Sequence, residues 1–130
     1  MSNLEVAAAV NRALNEEGTE GILRFYAEDC EWHMPAGWVE QNVYRGREGV
    51  RALSDSWFGQ FDDYRWEQKE LTELDDGRVL GLYSMQGRSK VSGVPIEQQV
   101  GGLFTFRDGL VIRAEAFFSW EDARAAAGLD

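Results

Sequence analysis

YRWEQKELTELDDGRVLGLYSMQGR, residues 64–88, is where the hydrophobic period of the chain changes from that of a helix to that of a strand. Tyr64 to Leu74 alternates as a strand does, and Asp75-Asp76-Gly77 then supplies the residues that tolerate the positive φ angles of a tight hairpin turn. Arg78 to Arg88 returns as the partner strand. Downstream, Gly87 to Pro95, with Gly93, makes the next connection, and Ile96 to Arg107 is a long strand reaching a second turn at Asp108-Gly109. Leu110 to Ser119 closes the meander. Ser119, three residues before Asp122, caps a last helix over Trp120 to Ala127, which Gly128 stops.

Upstream the period is helical. Ser2 stands three residues before Glu5 as a capping box, and Val6, Val10 and Leu14 follow on one face, so the first helix spans about residues 3–17 and ends at Gly18. Thr19 caps a shorter second helix in which Ile22, Leu23, Tyr26 and Ala27 share a face. Cys30 to Met34 alternates as a short strand, with Cys30, Trp32 and Met34 on one side and Glu31 and His33 on the other, until Pro35. Residues 36–46, carrying Trp38, Val39, Val43 and Tyr44, show no period and read as a functional loop. Val50, Leu53 and Trp57 mark a third helix from about Arg47 to Gln60, with Phe58 and Phe61 widening its apolar face. Helices followed by hairpin-connected strands give an α+β class. The expectation is a cone-shaped, curved antiparallel sheet packed against three helices from the N-terminal half, with a short C-terminal helix.

The whole-chain numbers exclude several functions. With 130 residues the chain has room for one domain, residues 1–130. A hydrophobic share of 44% provides a core and argues against disorder. Thirteen basic residues against 23 acidic ones leave a net charge of -10, the wrong sign for nucleic acid or an anionic membrane surface. One cysteine, Cys30, allows no internal disulfide, and one histidine, His33, leaves no zinc cluster, so neither metal nor cofactor is expected. The N-terminal residues lack both a basic n-region and a long apolar run, which reads as a soluble cytoplasmic protein.

The segments ALNEEGTEGILRFYAEDCEWHMP, YRGREGVRAL and FTFRDGLVIRAEAFF, followed by a terminal helix, resemble the SnoaL-like branch of the nuclear transport factor 2 superfamily over nearly the whole chain. The resemblance implies a cone-shaped α+β barrel, usually a homodimer, whose members include ketosteroid isomerases, limonene-epoxide hydrolase, polyketide cyclases and dehydratases. Fold alone does not select among these. Position by position, the isomerase base falls on Met34 and its two oxyanion donors fall on Val10 and Gly102; none of the three can do that chemistry. The aspartate of the epoxide hydrolases and cyclases falls on Ala116, and a shift of one residue would bring Glu115 there.

The catalytic candidates are therefore His33, Tyr26 and Glu115. Strand parity counts against His33 by turning it away from Trp32 and Met34, although an imidazole is a residue type suited to acid–base work. Glu115 shares a face with Arg113, as a solvent or dimer-face ion pair would. Adjacent carboxylates such as Glu16-Glu17 and Asp62-Asp63 fall at helix ends and turns, where solvated termini explain them. Gly101-Gly102 and Gly46 to Gly49 lack the context of a phosphate loop. The aromatic set is more informative. Inward parity and the connection over the mouth assign ligand binding to Trp32, Met34, Trp38, Tyr44, Trp57, Tyr83 and Phe118, with Gln98 as the polar contact and Gly102 and Ala116 leaving room. The expected function is a pocket for a small apolar cyclic compound, used by a cofactor-free isomerase, cyclase or hydrolase, or by a carrier or sensor without turnover. A dimeric adaptor is a third reading. A two-fold dimer through the sheet face opposite the helices is also expected, with Val111 and Phe117 as its apolar anchors.

Overall fold

A computed structural model describes residues 1–38 and 40–129, so Val39 of the 36–46 connection and the terminal Asp130 lie outside the described residues. Helix α1, Asn3–Glu17, opens on the capping box: the Ser2 hydroxyl accepts from the Glu5 N–H at 3.1 Å, and the Glu5 carboxylate accepts from the Ser2 N–H at 2.8 Å. Gly18, with φ of 76°, ends it by donating its N–H to the Leu14 carbonyl. Helix α2, Thr19–Ile22, is one turn long and passes into a 3-10 turn at Leu23–Phe25. Tyr26 and Ala27, expected on the second helix, instead begin strand β1, Tyr26–His33. The cause is tertiary: Tyr26 pairs with Val111 of the final strand, and a few residues of helical spacing do not outweigh that ladder.

Residues 43–45 form strand β2, Val43–Arg45, where the sequence suggests only loop; it pairs antiparallel to β1 with Tyr44 opposite Trp32. Helix α3, Gly46–Trp57, continues into a 3-10 turn, Phe58–Gln60. The long strands follow as β3, Phe61–Glu73, β4, Val79–Ser89, β5, Pro95–Arg107, and β6, Leu110–Phe117, before α4, Trp120–Ala126. The sheet runs β2-β1-β6-β5-β4-β3. The meander is antiparallel as expected, but β1 joins β6 in parallel, so the six-stranded sheet is mixed. Strand β3 carries two irregularities, one at Asp63 with φ of 53°, and such bulges add the bend that curves a sheet around its contents.

Helices α1 and α3 cover one face. Val50, Leu53, Trp57 and Leu14 meet Tyr26, Tyr83, Val100 and Phe104 there in the main core. The side chain of Asn15 docks α1 on the sheet edge: its amide donates to the Trp66 carbonyl and accepts from the Trp66 N–H, both at 2.8 Å. Helix α4 goes to the other face, where Ala123 packs on Leu80, Leu82 and Leu103. A Cβ on Gly101 would collide with that of Ala123, so glycine is what allows α4 to lie this close to β5. With both faces covered, β4 is buried from Val79 to Met85, which explains the near-continuous apolar run VLGLYSM. The expected dimer anchors are both occupied. Val111 turns into the main core, since the ladder slips between Thr105 and Phe106, and Phe117 packs in the α4 cluster.

Candidate functional site

Between the sheet and the helices lies an apolar cavity. Its helical wall is Val10, Asn11 and Leu14 of α1, Ile22, and Val50, Leu53, Ser54 and Trp57 of α3, the spacings three and four that place side chains on one helix face. The opposite wall comes from five strands: Tyr26 and Trp32 of β1, Trp66 of β3, Tyr83 of β4, Val100, Gly102 and Phe104 of β5, and Ala116 of β6. The cavity volume is about 50 Å³. Gly102 does not add to it, because a Cβ there would lie 2.7 Å from the Phe104 ring; the ring already fills that space.

The rings hold one another in place. Trp57 meets Trp66 edge-on at 5.4 Å and Phe118 at 5.5 Å, Trp66 meets Tyr83 at 6.1 Å, and Tyr26 stacks on Trp32 at 5.8 Å. Three polar atoms of this wall have no hydrogen-bond partner among the described residues: the Tyr26 hydroxyl and the indole nitrogens of Trp32 and Trp66. A buried donor left unmet costs about 1–3 kcal/mol. Burial, with Tyr83 and Cys30 nearby, pushes the Tyr26 phenol well above its ordinary pKa, and burial does the same to Tyr83. Both therefore stay protonated at neutral pH and can donate a hydrogen bond but cannot act as a base.

Of the residues assigned to a ligand from sequence, the fold brings Trp32, Trp57, Tyr83, Gly102 and Ala116 onto this wall together with Tyr26. Met34, Trp38, Tyr44 and Phe118 stand beside it: Met34 and Tyr44 are buried in the core, and Trp38 packs on Trp57 and Phe118 while donating its indole N–H to the Tyr44 hydroxyl at 3.0 Å. Gln98, paired with Met85, is half-buried and off the wall. His33 and Glu115 are cross-strand partners on the outer face, with the sheet between them and the cavity. There His33 Nε2 lies 2.9 Å from Glu31 Oε1, Arg45 binds the same carboxylate, and Glu115 lies 3.6 Å from Arg113. The His33 hydrogen bond and then Arg45 hold the Glu31 carboxyl below its usual range.

Parity resolves the last strand, since Ala116 faces the cavity and Glu115 does not. Sequence reading missed the aliphatic helix residues of the wall and, among its rings, Trp66. Its signal was the hairpin through Asp75-Asp76-Gly77, which sets Trp66 opposite the fully buried Met85. No carboxylate or imidazole lines the cavity among the described residues, and no group of three His, Cys, Asp or Glu that could hold a metal occurs among them. No helix is long and apolar enough to cross a membrane among the described residues.

The sequence profile of the SnoaL-like domain matches residues 6–114. The chain belongs to the SnoaL-like family. Solved structures agree on the SnoaL-like fold. Bal32a, from a soil-derived mobile gene cassette, superposes with a TM-score of 0.79 at 22% identity, covering 98% of this chain and 95% of its own. TerC, co-crystallised with polyporic acid, gives 0.77 at 23% identity and 96% coverage of both chains. A protein of ketosteroid isomerase-like fold from Catenulispora acidiphila DSM 44928, in complex with trimethylamine, gives 0.75 at 16% identity, covering 97% of this chain and 94% of its own. No curated protein sequence matches the chain.

Proposed function

We propose that this SnoaL-like protein binds an apolar, ring-bearing small molecule in the cavity between sheet and helices, and that it does so as a carrier or sensor and not as a general-base isomerase. One observation carries this reading: a wall of aromatic and aliphatic side chains holds no carboxylate or imidazole among the described residues, and its phenols, Tyr26 and Tyr83, are kept protonated. That TerC and the Catenulispora protein were each crystallised with a small organic molecule supports it. A cavity of about 50 Å³ is smaller than the roughly 150 Å³ that admits benzene, so a ring enters by displacing side chains at the rim. Burying about 150 Å² of ligand at roughly 25 cal/mol per Å² yields about 4 kcal/mol, a dissociation constant near millimolar.

Fluorobenzene is a suitable probe, read by the breadth of its 19F resonance. Wild type should broaden the line, and Ala116→Leu, which grows into the cavity from β6, should abolish the effect while the protein stays folded. Equal broadening by both proteins, or none by wild type, overturns the reading. With Met34, Val10 and Gly102 at the isomerase positions, no turnover of a steroid enone is expected, and steady turnover by wild type would refute the carrier reading.

A further inference from the structure

Two glycines face each other in the middle of the sheet. Gly81 of β4 is the register partner of Gly102 of β5, and Ala116 of β6 continues the row beyond Gly102. Neither glycine has a positive φ, so the backbone conformation does not require them. Glycine weakens a strand interior, and one found there often marks a place where another group approaches the backbone closely. Here the approaching groups are rings of the same strands. A Cβ on Gly81 would lie 2.6 Å from Cζ of the Tyr83 ring, and one on Gly102 would lie 2.7 Å from Cζ of the Phe104 ring. Tyr83 stands opposite Val100 and Phe104 opposite Val79, so the two rings lean over the glycine pair from opposite directions.

Each ring is braced as well as seated. Trp66 and Tyr83 form an edge-to-face pair at 6.1 Å, and Trp32 and Phe104 form another at 6.5 Å. Tyr83, Phe104 and Gly102 all belong to the cavity wall. A side chain at the rim can swing aside to admit a ligand, whereas a ring that already lies on the backbone of the sheet has no free space beneath it to enter. We propose that Tyr83 and Phe104, recessed on Gly81 and Gly102, form a fixed floor that limits the ligand of this cavity to a single ring and excludes fused-ring compounds. This rests on the small-molecule reading above and adds a size limit to it.

Fluorobenzene and 1-fluoronaphthalene differ by one fused ring and report through the same 19F line broadening. In wild type, 1-fluoronaphthalene should bind at least about tenfold more weakly, the penalty of overpacking a fixed site, although its larger apolar surface favours burial. Phe104→Leu vacates the shelf over Gly102 and should remove that penalty. Gly102→Ala should act in the opposite sense, because the new methyl group lifts the Phe104 ring into the cavity and lowers fluorobenzene affinity at least about tenfold. Combining Gly102→Ala with Phe104→Leu puts the methyl group where the ring was, and fluorobenzene binding should return. A glycine needed only by the strand would not be rescued in this way. Far-UV circular dichroism checks that each variant is folded.

If wild type binds fluorobenzene and binds 1-fluoronaphthalene as well or better, the size limit fails and the small-molecule reading stands. If a folded Gly102→Ala variant binds fluorobenzene as wild type does, the glycine is not what keeps the ring recessed, and the inference fails likewise. If wild type does not bind fluorobenzene, both fail. Should the variants not fold, the comparison of the two compounds in wild type decides alone.

Discussion

Removing the Asn15 side chain should loosen the cavity without touching its wall. Its amide makes two hydrogen bonds of 2.8 Å with the backbone of Trp66, so that one side chain of α1 satisfies an N–H and a carbonyl on the edge strand. At about 1 kcal/mol for each bond, plus part of the penalty for exposing or stranding the Trp66 groups, Asn15→Leu should cost about 2–3 kcal/mol. For a domain of this size that is a fall in Tm of about 6–10 °C, or a shift of the urea midpoint by more than about 1 M. Asn15→Asp keeps the acceptor for the Trp66 N–H and loses the donor, so it should fall between wild type and Asn15→Leu. Val10, Asn11 and Leu14 sit on the same helix and line the cavity, so fluorobenzene affinity should drop in parallel with stability. Urea unfolding followed by tryptophan emission and far-UV circular dichroism measures both variants. A loss under about 0.5 kcal/mol for Asn15→Leu, the scale of an ordinary surface change, would refute the account of how α1 is anchored.

Gly101→Ala places a methyl group against Ala123 and should separate α4 from β5 at a cost of about 1–3 kcal/mol, measured by thermal unfolding; unchanged stability would show that α4 is not packed this closely. Alkali should destabilise the fold. Tyr26, Tyr64 and Tyr83 have raised pKa values in the native protein, so above about pH 10 the unfolded chain has lost protons that the native state retains, and stability falls as pH rises further. Phenolate absorbance at 295 nm from these three residues should therefore rise together with unfolding, and ionisation of Tyr26, Tyr64 and Tyr83 in a folded protein would contradict it. Two copies should pair through the outer face of β1 and β6, where Glu31, Arg45, Arg113 and Glu115 offer both signs of charge for a salt-sensitive two-fold contact; light scattering that finds only a 14.7 kDa species at micromolar concentration would exclude this.

Local chemistry made much of the architecture readable before any coordinates. The Ser2 and Glu5 pair marked the start of α1, Asp-Gly turns marked two hairpins, and alternation separated Trp32 from Glu31 and His33, because caps, turns and pleats are set by residues close in sequence. The resemblance in YRGREGVRAL and FTFRDGLVIRAEAFF carried the family. What stayed hidden depends on partners distant in the chain. Strand β2 is three residues long and exists only because β1 is beside it, and the parallel contact of β1 with β6 drew Tyr26 out of a helix and into the sheet. The α4 helix shows an ordinary capping signal that says nothing about which face it will cover; the contact of Ala123 with Gly101 decided that, and so removed Phe117 from the outer surface. The site divides the same way. Parity alone could place Trp32 and Ala116 on the inward side, but Trp66 joins the wall through its pairing with Met85, and three donors without partners become visible only when every neighbour of each atom is known. Periodicity records which way a side chain points, while the presence or absence of a partner for it is a property of the assembled interior.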